Sequence, residues 1–592
     1  MNITRRGRPD VVRLRVTLQL HATPNRIPDA YGEVTHGMIE QGEVARSATA
    51  SDAAADTISA RASQLFPVLD AKEISRLAHF GHPASWSAGH ALMKSGEPAP
   101  GMIIVRRGAA AMYRHGGLDD EQPLIRHGPG SFIAETGQLS GKPSLVDCRA
   151  ETDIDGIVIP PDGVRALVVS EAELGERIMR ALILRRVSLI ETGTGGPVLI
   201  GPADNADMLR LQAFLVRNGH PHTTLDPADD QSASDLVRHE HARRHDLPLV
   251  VCPDGSVLRN PTDNDLARNL GLLPRLDPNE ILDVAIIGAG PAGLAASVYA
   301  ASEGLRVLTI DARGPGGQAG ASSRIENYLG FPTGISGQAL AGRAFVQAQK
   351  FGATLAIPLH VRRLVCGNPT HSLEMADGSS VTSRTVIVAS GAAYRRLSLD
   401  ELERYEGNGI YYWASPAEAK LCRNEEVVVV GGGNSAGQAI VYLAGRAKRV
   451  HVLIRGSDIA TTMSSYLVDR IGALENVELH TGTELAGLHG DGDGLAGVTW
   501  RQGNETVQQP IRRLFLFIGA VPNTDWLCDC GIGMDTKGFL LTGEDGTPSF
   551  QTRVPGVFAI GDVRSGSVKR VASAVGEGAA VIQQVHAYLA SG

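Results

Sequence analysis

The chain has 592 residues, 43% of them apolar and 20% charged, and a formal net charge of −8; that is too long for one core and suggests about three to five domains of roughly 100 to 200 residues each. The acidic balance gives no electrostatic reason for nucleic acid or an anionic membrane as the main partner, and no apolar run approaches the roughly 18 residues of a membrane-spanning helix. Six mostly isolated cysteines, and a basic opening stretch without a continuous apolar segment, argue against a disulfide scaffold and a secretory signal, so a cytoplasmic protein is expected.

Residues 1–57 mix Arg, Ala, Thr, Ser and Asp without periodicity and read as a mobile tail. From 58 to 192, short apolar segments punctuated by Gly89, Gly96, Gly108 and Gly130 suggest a small β-roll, followed by a helix over 174–191. Phe132-Ile-Ala-Glu135, with Pro143 eight residues later, resembles the cyclic-nucleotide-binding domain. The resemblance implies that a short helix N-terminus and an arginine directly after the proline hold the cyclic phosphate. Ser144 stands at that arginine position. Without the charge, a scaffold or a sensor of another ligand is the favoured reading and cyclic-nucleotide binding the alternative. No helix-turn-helix follows.

From 193 to 276 the order reads strand (197–200), helix (205–216), strand (222–225), helix (234–244), strand (249–252), strand (256–259), helix. This order resembles a thioredoxin or glutaredoxin-like fold, with Pro248 where that fold places a cis-proline. Gly201-Pro-Ala-Asp-Asn205 takes the place of its Cys-x-x-Cys, so the domain is a degenerate one. His239, His241 and His245 could suggest metal, but residues two apart on a helix face apart. A solvated face is the reading, and no metal site is expected.

Ile281-Leu-Asp-Val-Ala-Ile-Ile287 has a buried-strand pattern and runs into Gly288-Ala-Gly290-Pro291-Ala292-Gly293, then an Ala-rich helix over 294–303. Glycines are needed because the backbone bends sharply and a pyrophosphate must approach the helix N-terminus, whose free N–H groups and dipole stabilise its charge. A second strand, 306–310, ends at Asp311, where a carboxylate can accept hydrogen bonds from an adenosine ribose. Late in the chain, Val557-Phe-Ala-Ile-Gly561-Asp562 reads as a strand delivering an aspartate to a ribityl chain or pyrophosphate, which assigns FAD to the first loop.

Together these residues resemble the thioredoxin-reductase branch of the pyridine-nucleotide disulfide oxidoreductases, from about residue 280 to the C-terminus. The resemblance implies FAD-binding parts at 280–397 and 513–592 around an NAD(P)H-binding domain at 398–512. It implies that Gly316-Gly317-Gln318 and Asn327 line the FAD and that the Val361 backbone meets the adenine. Thr385-Val-Ile-Val-Ala-Ser-Gly391 matches the crossover segment, and Lys569-Arg570-Val571, at a helix start, would lie near the isoalloxazine edge. Arg570 replaces the usual glutamine; a cation there would favour the anionic reduced flavin. Rotation between the two domains would gate turnover about crossings near 395–400 and 512–520, and a homodimer is expected.

The second loop, Gly431-Gly-Gly433-Asn434-Ser435-Ala436, follows Val427-Val-Val-Val430 and opens a helix, so the same phosphate argument applies. The next strand, 450–454, ends in Arg455, where a cation suits the 2′-phosphate of NADPH and an acid would suit NADH. The family's His-Arg-Arg triplet is reduced here to this one arginine. NADH use stays open, as does a merely solvated Arg455.

In thioredoxin reductases a Cys-x-x-Cys lies just before the second loop. Counting back from Gly431, its cysteines fall on Ala414 and Ala417, and Glu418 takes the place of the acid that protonates the leaving thiolate. Glu418 is either a proton donor near the flavin or a surface carboxylate. Cys528-Asp-Cys530 is the only close cysteine pair and reads as packed thiols, with redox work as the alternative.

The expected protein is thus an α/β two-dinucleotide-binding flavoprotein of thioredoxin-reductase type, preceded by the β-roll and the degenerate thioredoxin-like domain. It would pass hydride from NADPH to FAD and on to an external acceptor without the thiol relay. The acceptor stays open among a thioredoxin-like protein, another carrier and a small molecule. A redox- or ligand-sensing regulatory flavoprotein, and a thioredoxin-disulfide reductase using a non-standard thiol, are the alternatives.

Overall fold

The structure is a computed structural model that describes residues 62–591, apart from 114–122, 135, 140–141, 193–194, 323, 415, 492–493 and 528–529. The tail expected at 1–57, Glu135 and Cys528 lie outside the described residues. The chain divides into two compact units between Leu272 and Leu273.

In the first unit two four-stranded antiparallel sheets make the β-roll. One runs in the order His82–Trp86, Ile154–Ile159, Met102–Arg107, Phe132–Ile133, and the other Ala91–Met93, Asp147–Ala150, Ala110–Tyr113, Ile125–His127. Ile103, Val105, Ile133, Cys148, Ile154 and Val158 fill the space between them. The helix expected over 174–191 is Ala172–Thr192. Its Arg185 is buried and donates to the carbonyls of Leu65, Phe132 and Ala134 at 2.9, 3.1 and 3.0 Å. Burial lowers its pKa to about 9.

Next come Val198–Ile200, Ala206–Arg217, Thr223–Leu225, Gln231–His239, Leu249–Val251, Val257–Arg259 and Asp263–Asn269, in the order read from the sequence. The sheet order is Thr223–Leu225, Val198–Ile200, Leu249–Val251, Val257–Arg259, with the first pair parallel and the others antiparallel. The Leu247–Pro248 peptide is cis. The helix expected at 234–244 begins earlier, because the Asp230 side chain caps it through the Ala233 N–H, and stops at His239, short of His241 at φ 49°. Among the described residues, His239, His241 and His245 do not bring ligand atoms together.

The second unit holds two nucleotide-type sheets. In the first, Thr354–Ala356, Val307–Ile310, Ile281–Ile287 and Ser380–Val388 lie side by side in parallel, and Val557–Ala559 joins the far half of Ser380–Val388. His371–Met375 and Val361–Val365 extend its near half as antiparallel strands. Helices Pro291–Ser302 and Val571–Ser591 cover one face and approach so closely that a Cβ on Gly578 would stand 2.3 Å from the Ala292 carbonyl.

The second sheet is all parallel, in the order Ile410–Tyr411, Arg513–Leu516, Glu426–Val430, Arg449–Leu453, Val477–His480. Its Val427, Val429, Val450 and Val452 pack on the helix Asn434–Ala444, while Val428, Val430 and Leu453 pack with Trp500 of a three-stranded antiparallel sheet over residues 483–509. The chain crosses between the two halves through a short antiparallel pair, Ala392–Tyr394 with Ala520–Pro522.

Candidate functional site

The first glycine loop shows which of its glycines serve the fold and which leave room. A Cβ on Gly288 would lie 2.2 Å from the Ala389 carbonyl, and one on Gly293 would lie 1.8 Å from the Gly288 carbonyl, so both permit close backbone packing. At Gly290 the same Cβ meets nothing within 4 Å. Gly290 is also the N-cap of Pro291–Ser302, with no side-chain cap, so the N–H groups of the first turn have no intrahelical acceptor. Open space beside free N–H donors at a helix N-terminus suits an anion.

Of the other expected residues, Asp311, Gly317 and the turn at Gly561 lie against this loop. The Asp311 carboxylate accepts from the Ala289 N–H at 2.8 Å, and from the Arg313 and Gly314 N–H groups at 2.8 and 3.1 Å, holding the loop in place. Gly317, at φ +53°, crosses over the loop; its Cβ would be 3.2 Å from the Gly290 Cα. Gln318 donates to the Ala392 carbonyl. A Cβ on Gly561 would lie 2.9 Å from that of Ala292, which puts Asp562 beside the same loop. Asp562 is half-buried, its carboxylate accepts no hydrogen bond from the described residues, and burial raises its pKa. Lys569 Nζ donates to the Asp562 carbonyl at 2.5 Å. Arg570 is exposed, and its carbonyl accepts from the Ala574 N–H at the start of the helix that begins at Val571. Gly391, at φ +65°, has open space where a Cβ would stand, Val361 is buried at the head of its strand, and Asn327 is exposed.

Two groups were missed by the sequence reading. Glu577 accepts from the Gly561 N–H at 2.6 Å, Arg564 at 2.7 Å and the Ser567 hydroxyl at 2.9 Å, bracing the turn that presents Asp562. Tyr394, in the crossing strand, has its pKa pushed up to about 12 by burial and by the Asp562 carboxylate. Glu577 follows Asp562 by fifteen residues as an acid in a largely apolar helix, which is the signal that could have found it.

The second loop repeats the division. A Cβ on Gly431, at φ +139°, would strike the Phe517 carbonyl at 2.4 Å, while one on Gly433, the N-cap of Asn434–Ala444, meets nothing within 4 Å. Asn434 Oδ1 accepts from the Ser464 N–H at 2.7 Å, and Ser435 is exposed. Ile454 packs on Gly432, and the next residue, Arg455, is exposed without an ion pair among the described residues. Adenine dinucleotides therefore fit both loops: the clash-free glycines are those a ligand would cover.

Ahead of this loop, Ala414 is buried and the helix Pro416–Leu421 begins. Glu418 Oε1 accepts from Trp413 Nε1 at 2.9 Å. Cys422 is buried, its thiol pushed up to about 12 by burial, so it is no ready thiolate. The reading of Cys530 as a packed thiol is corrected: it forms a disulfide with Cys366, their Cα atoms 5.6 Å apart across a sequence separation of 164. Cys366 follows the strand Val361–Val365, and Cys530 packs among the core residues of the first sheet.

In the first unit, Ser144 is buried and its hydroxyl donates to the Val146 carbonyl at 2.9 Å. The position is closed into the fold and does not present a polar group to a ligand.

Comparison with known proteins agrees with this layout. Residues 282–578 match the pyridine nucleotide-disulphide oxidoreductase model, and residues 83–171 match the cyclic nucleotide-binding domain. Thioredoxin reductase of Listeria monocytogenes is 32% identical over 313 residues, 52% of this chain and 94% of that protein. The F subunit of alkyl hydroperoxide reductase from Escherichia coli is 30% identical over 321 residues, 53% of this chain and 59% of that protein. A crystal structure of Lactococcus lactis thioredoxin reductase is 27% identical, with a TM-score of 0.49, covering 52% of this chain and 99% of that one. The chain belongs to the pyridine nucleotide-disulphide oxidoreductases, with a thioredoxin-reductase-like two-nucleotide fold behind a cyclic-nucleotide-binding-type domain.

Proposed function

We propose that the chain is an FAD-dependent NADPH oxidoreductase that reduces an external acceptor without a dithiol at positions 414 and 417. One observation carries the reading: in both loops the glycine at the helix N-cap faces open space, while Gly288 and Gly293 of the first loop and Gly431 of the second are packed against backbone. The first loop with Asp311, Gly317, Gln318 and Asp562 would hold FAD, and the second with Arg455 would hold NADPH. When bound, FAD supplies two-electron acceptance from a nicotinamide and donation to the acceptor. The protein's own part is binding and orientation. Asp562 offers a carboxylate without a hydrogen-bond partner among the described residues to a hydroxyl-bearing ligand, Arg455 offers a cation without an ion pair among them to a phosphate, and Glu577 braces the turn that carries Asp562.

Counting back from Gly431, the family's relay cysteines fall on Ala414 and Ala417, which supports the relay-free reading. The relatives named thioredoxin reductase make a thioredoxin-like protein one candidate acceptor, and a small molecule reached directly is the one favoured here. A homodimer is part of the proposal. The Cys366–Cys530 disulfide supports one second reading, a disulfide reductase with a non-standard thiol.

The test is NADPH oxidation by the FAD-loaded chain, under anaerobic conditions, with a thioredoxin and with a soluble quinone. Turnover with the quinone and none with thioredoxin is expected. Sustained thioredoxin reduction would overturn the relay-free reading, and its loss in C366S would assign it to the disulfide.

A further inference from the structure

We propose that His451, Glu478 and His480 form a divalent-metal site, taking Zn2+ or a similar borderline cation. The site lies on the face of the second sheet turned away from the nucleotide helix. No metal was expected from the sequence, where the two histidines are separated by 29 positions in plain strand patterns; the pairing of two strands assembles the group.

In the parallel register His451 lies opposite Glu478, and Leu453 lies opposite His480. Side chains alternate along a strand, so His451 shares its face with Leu453, and Glu478 with His480. That face packs with Trp500. Val477–His480 is the edge strand, which leaves one side of the cluster open. The side chains of His451, His480 and Glu478 are 7%, 15% and 46% exposed, a gradient from core to solvent that supplies an entry path.

His451 Nδ1 and His480 Nε2 are 3.1 Å apart. At that distance at most one proton lies between them, so at least one lone pair points into the gap. The carboxylate of Glu478 closes the third side, with Oε2 at 3.7 Å from His451 Nδ1 and Oε1 at 3.6 Å from His480 Nε2. Tetrahedral ligands about 2.0–2.1 Å from Zn2+ stand about 3.3 Å from one another. The observed separations bracket that value, and two imidazoles with one carboxylate are a donor set that suits zinc.

A further residue fixes the ring. Glu426 Oε2 lies 3.4 Å from His451 Nε2. A proton held there leaves Nδ1 as the ligand atom, which is how an outer carboxylate orients a metal-binding histidine. Both rings pack against Trp500, with centroids 5.7 and 5.3 Å away. Lys448 pairs with Glu426 at 3.0 Å and Arg449 with Glu478 at 3.1 Å, so Arg449 is the group a cation must displace. The bound ion would clip the edge strand to its neighbour; it lies away from the nucleotide loop and takes no part in electron transfer.

The experiment uses the full FAD-loaded chain, stripped with a chelator and titrated with Zn2+ against a chromophoric competitor, and separately with Co2+. One equivalent per chain is expected. Bound Co2+ should give the visible bands of four-coordinate cobalt at wavelengths beyond the flavin absorption. H480Q and E478Q, both toward the exposed side, should weaken binding at least tenfold. E426Q should weaken it about tenfold through loss of orientation. Zn2+ should raise the melting temperature of the parent and not of H480Q. Absence of stoichiometric binding, or equal binding by the parent, H480Q and E478Q, would overturn the site.

Discussion

At the residue scale, the two kinds of glycine in each loop separate folding from ligand binding. G290A and G433A add a methyl into open space and should leave stability within about 1 kcal/mol of the parent. They should still lose function: lower FAD content for G290A, and a raised KM for NADPH at normal FAD content for G433A. G293A drives its methyl into a carbonyl and should cost about 1–3 kcal/mol or more by overpacking. Thermal melts together with flavin-to-protein ratios distinguish these cases. Arg455 is testable in the same way. A charge-assisted contact of about 1.5–3 kcal/mol implies that R455A raises KM for NADPH by roughly 10- to 100-fold and leaves NADH nearly unchanged.

Asp562 adds a pH dependence whose sign follows from its burial. Its pKa is raised in the folded protein, so between the unfolded and folded values the native state binds more protons than the unfolded one. Stability therefore falls as pH rises through that window and stays lowered at neutral pH. In FAD-free protein, D562N should show a smaller loss of melting temperature between acid and neutral pH than the parent, and the same substitution should reduce FAD retention. A D562N curve parallel to the parent's would show that the carboxylate carries no such cost.

At the scale of elements, the two halves of the second unit are joined by the crossing pair Ala392–Tyr394 and Ala520–Pro522. An ion pair also spans them, Arg470 of the helix Ser465–Gly472 with Glu326, at 2.7 Å. Both groups are partly exposed, so the pair contributes about 0–1 kcal/mol to stability. R470A should leave the melting temperature nearly unchanged. If rotation between the halves limits turnover, R470A should alter kcat, with KM for NADPH held; an unchanged kcat would free this contact of any gating role. The strands, loops and nucleotide helices were legible in the sequence because each is a local pattern of buried strand, glycine turn and helix start. The Cys366–Cys530 pairing was not legible, since it joins positions 164 apart that meet only when the first sheet closes. Glu577 stood out only as an acid in a largely apolar helix; its partner, the Gly561 N–H, lies in a separate turn, so its role appeared only once the two were folded together. Of the close pair Cys528 and Cys530, read from the sequence as packed thiols, Cys530 is instead disulfide-bonded to the distant Cys366.

At the scale of the whole molecule, an oxidoreductase module follows a unit whose β-roll matches a cyclic nucleotide-binding model. Ser144 is buried with its hydroxyl bonded to the Val146 carbonyl, so neither charge nor access favours a cyclic phosphate. Millimolar cyclic AMP should leave the melting temperature unchanged, because stabilisation requires ligand well above its Kd; a clear rise would reinstate nucleotide binding. In the proposed function, electrons pass through the module by a flavin without a relay at 414 and 417. Anaerobic titration of the FAD-loaded chain with NADPH tests it most directly. Full bleaching with about one equivalent per FAD, without long-wavelength thiolate charge-transfer absorbance, is the expected result. A requirement for about two equivalents would contradict it, revealing a second two-electron centre and making Cys366 and Cys530 the pair to substitute first.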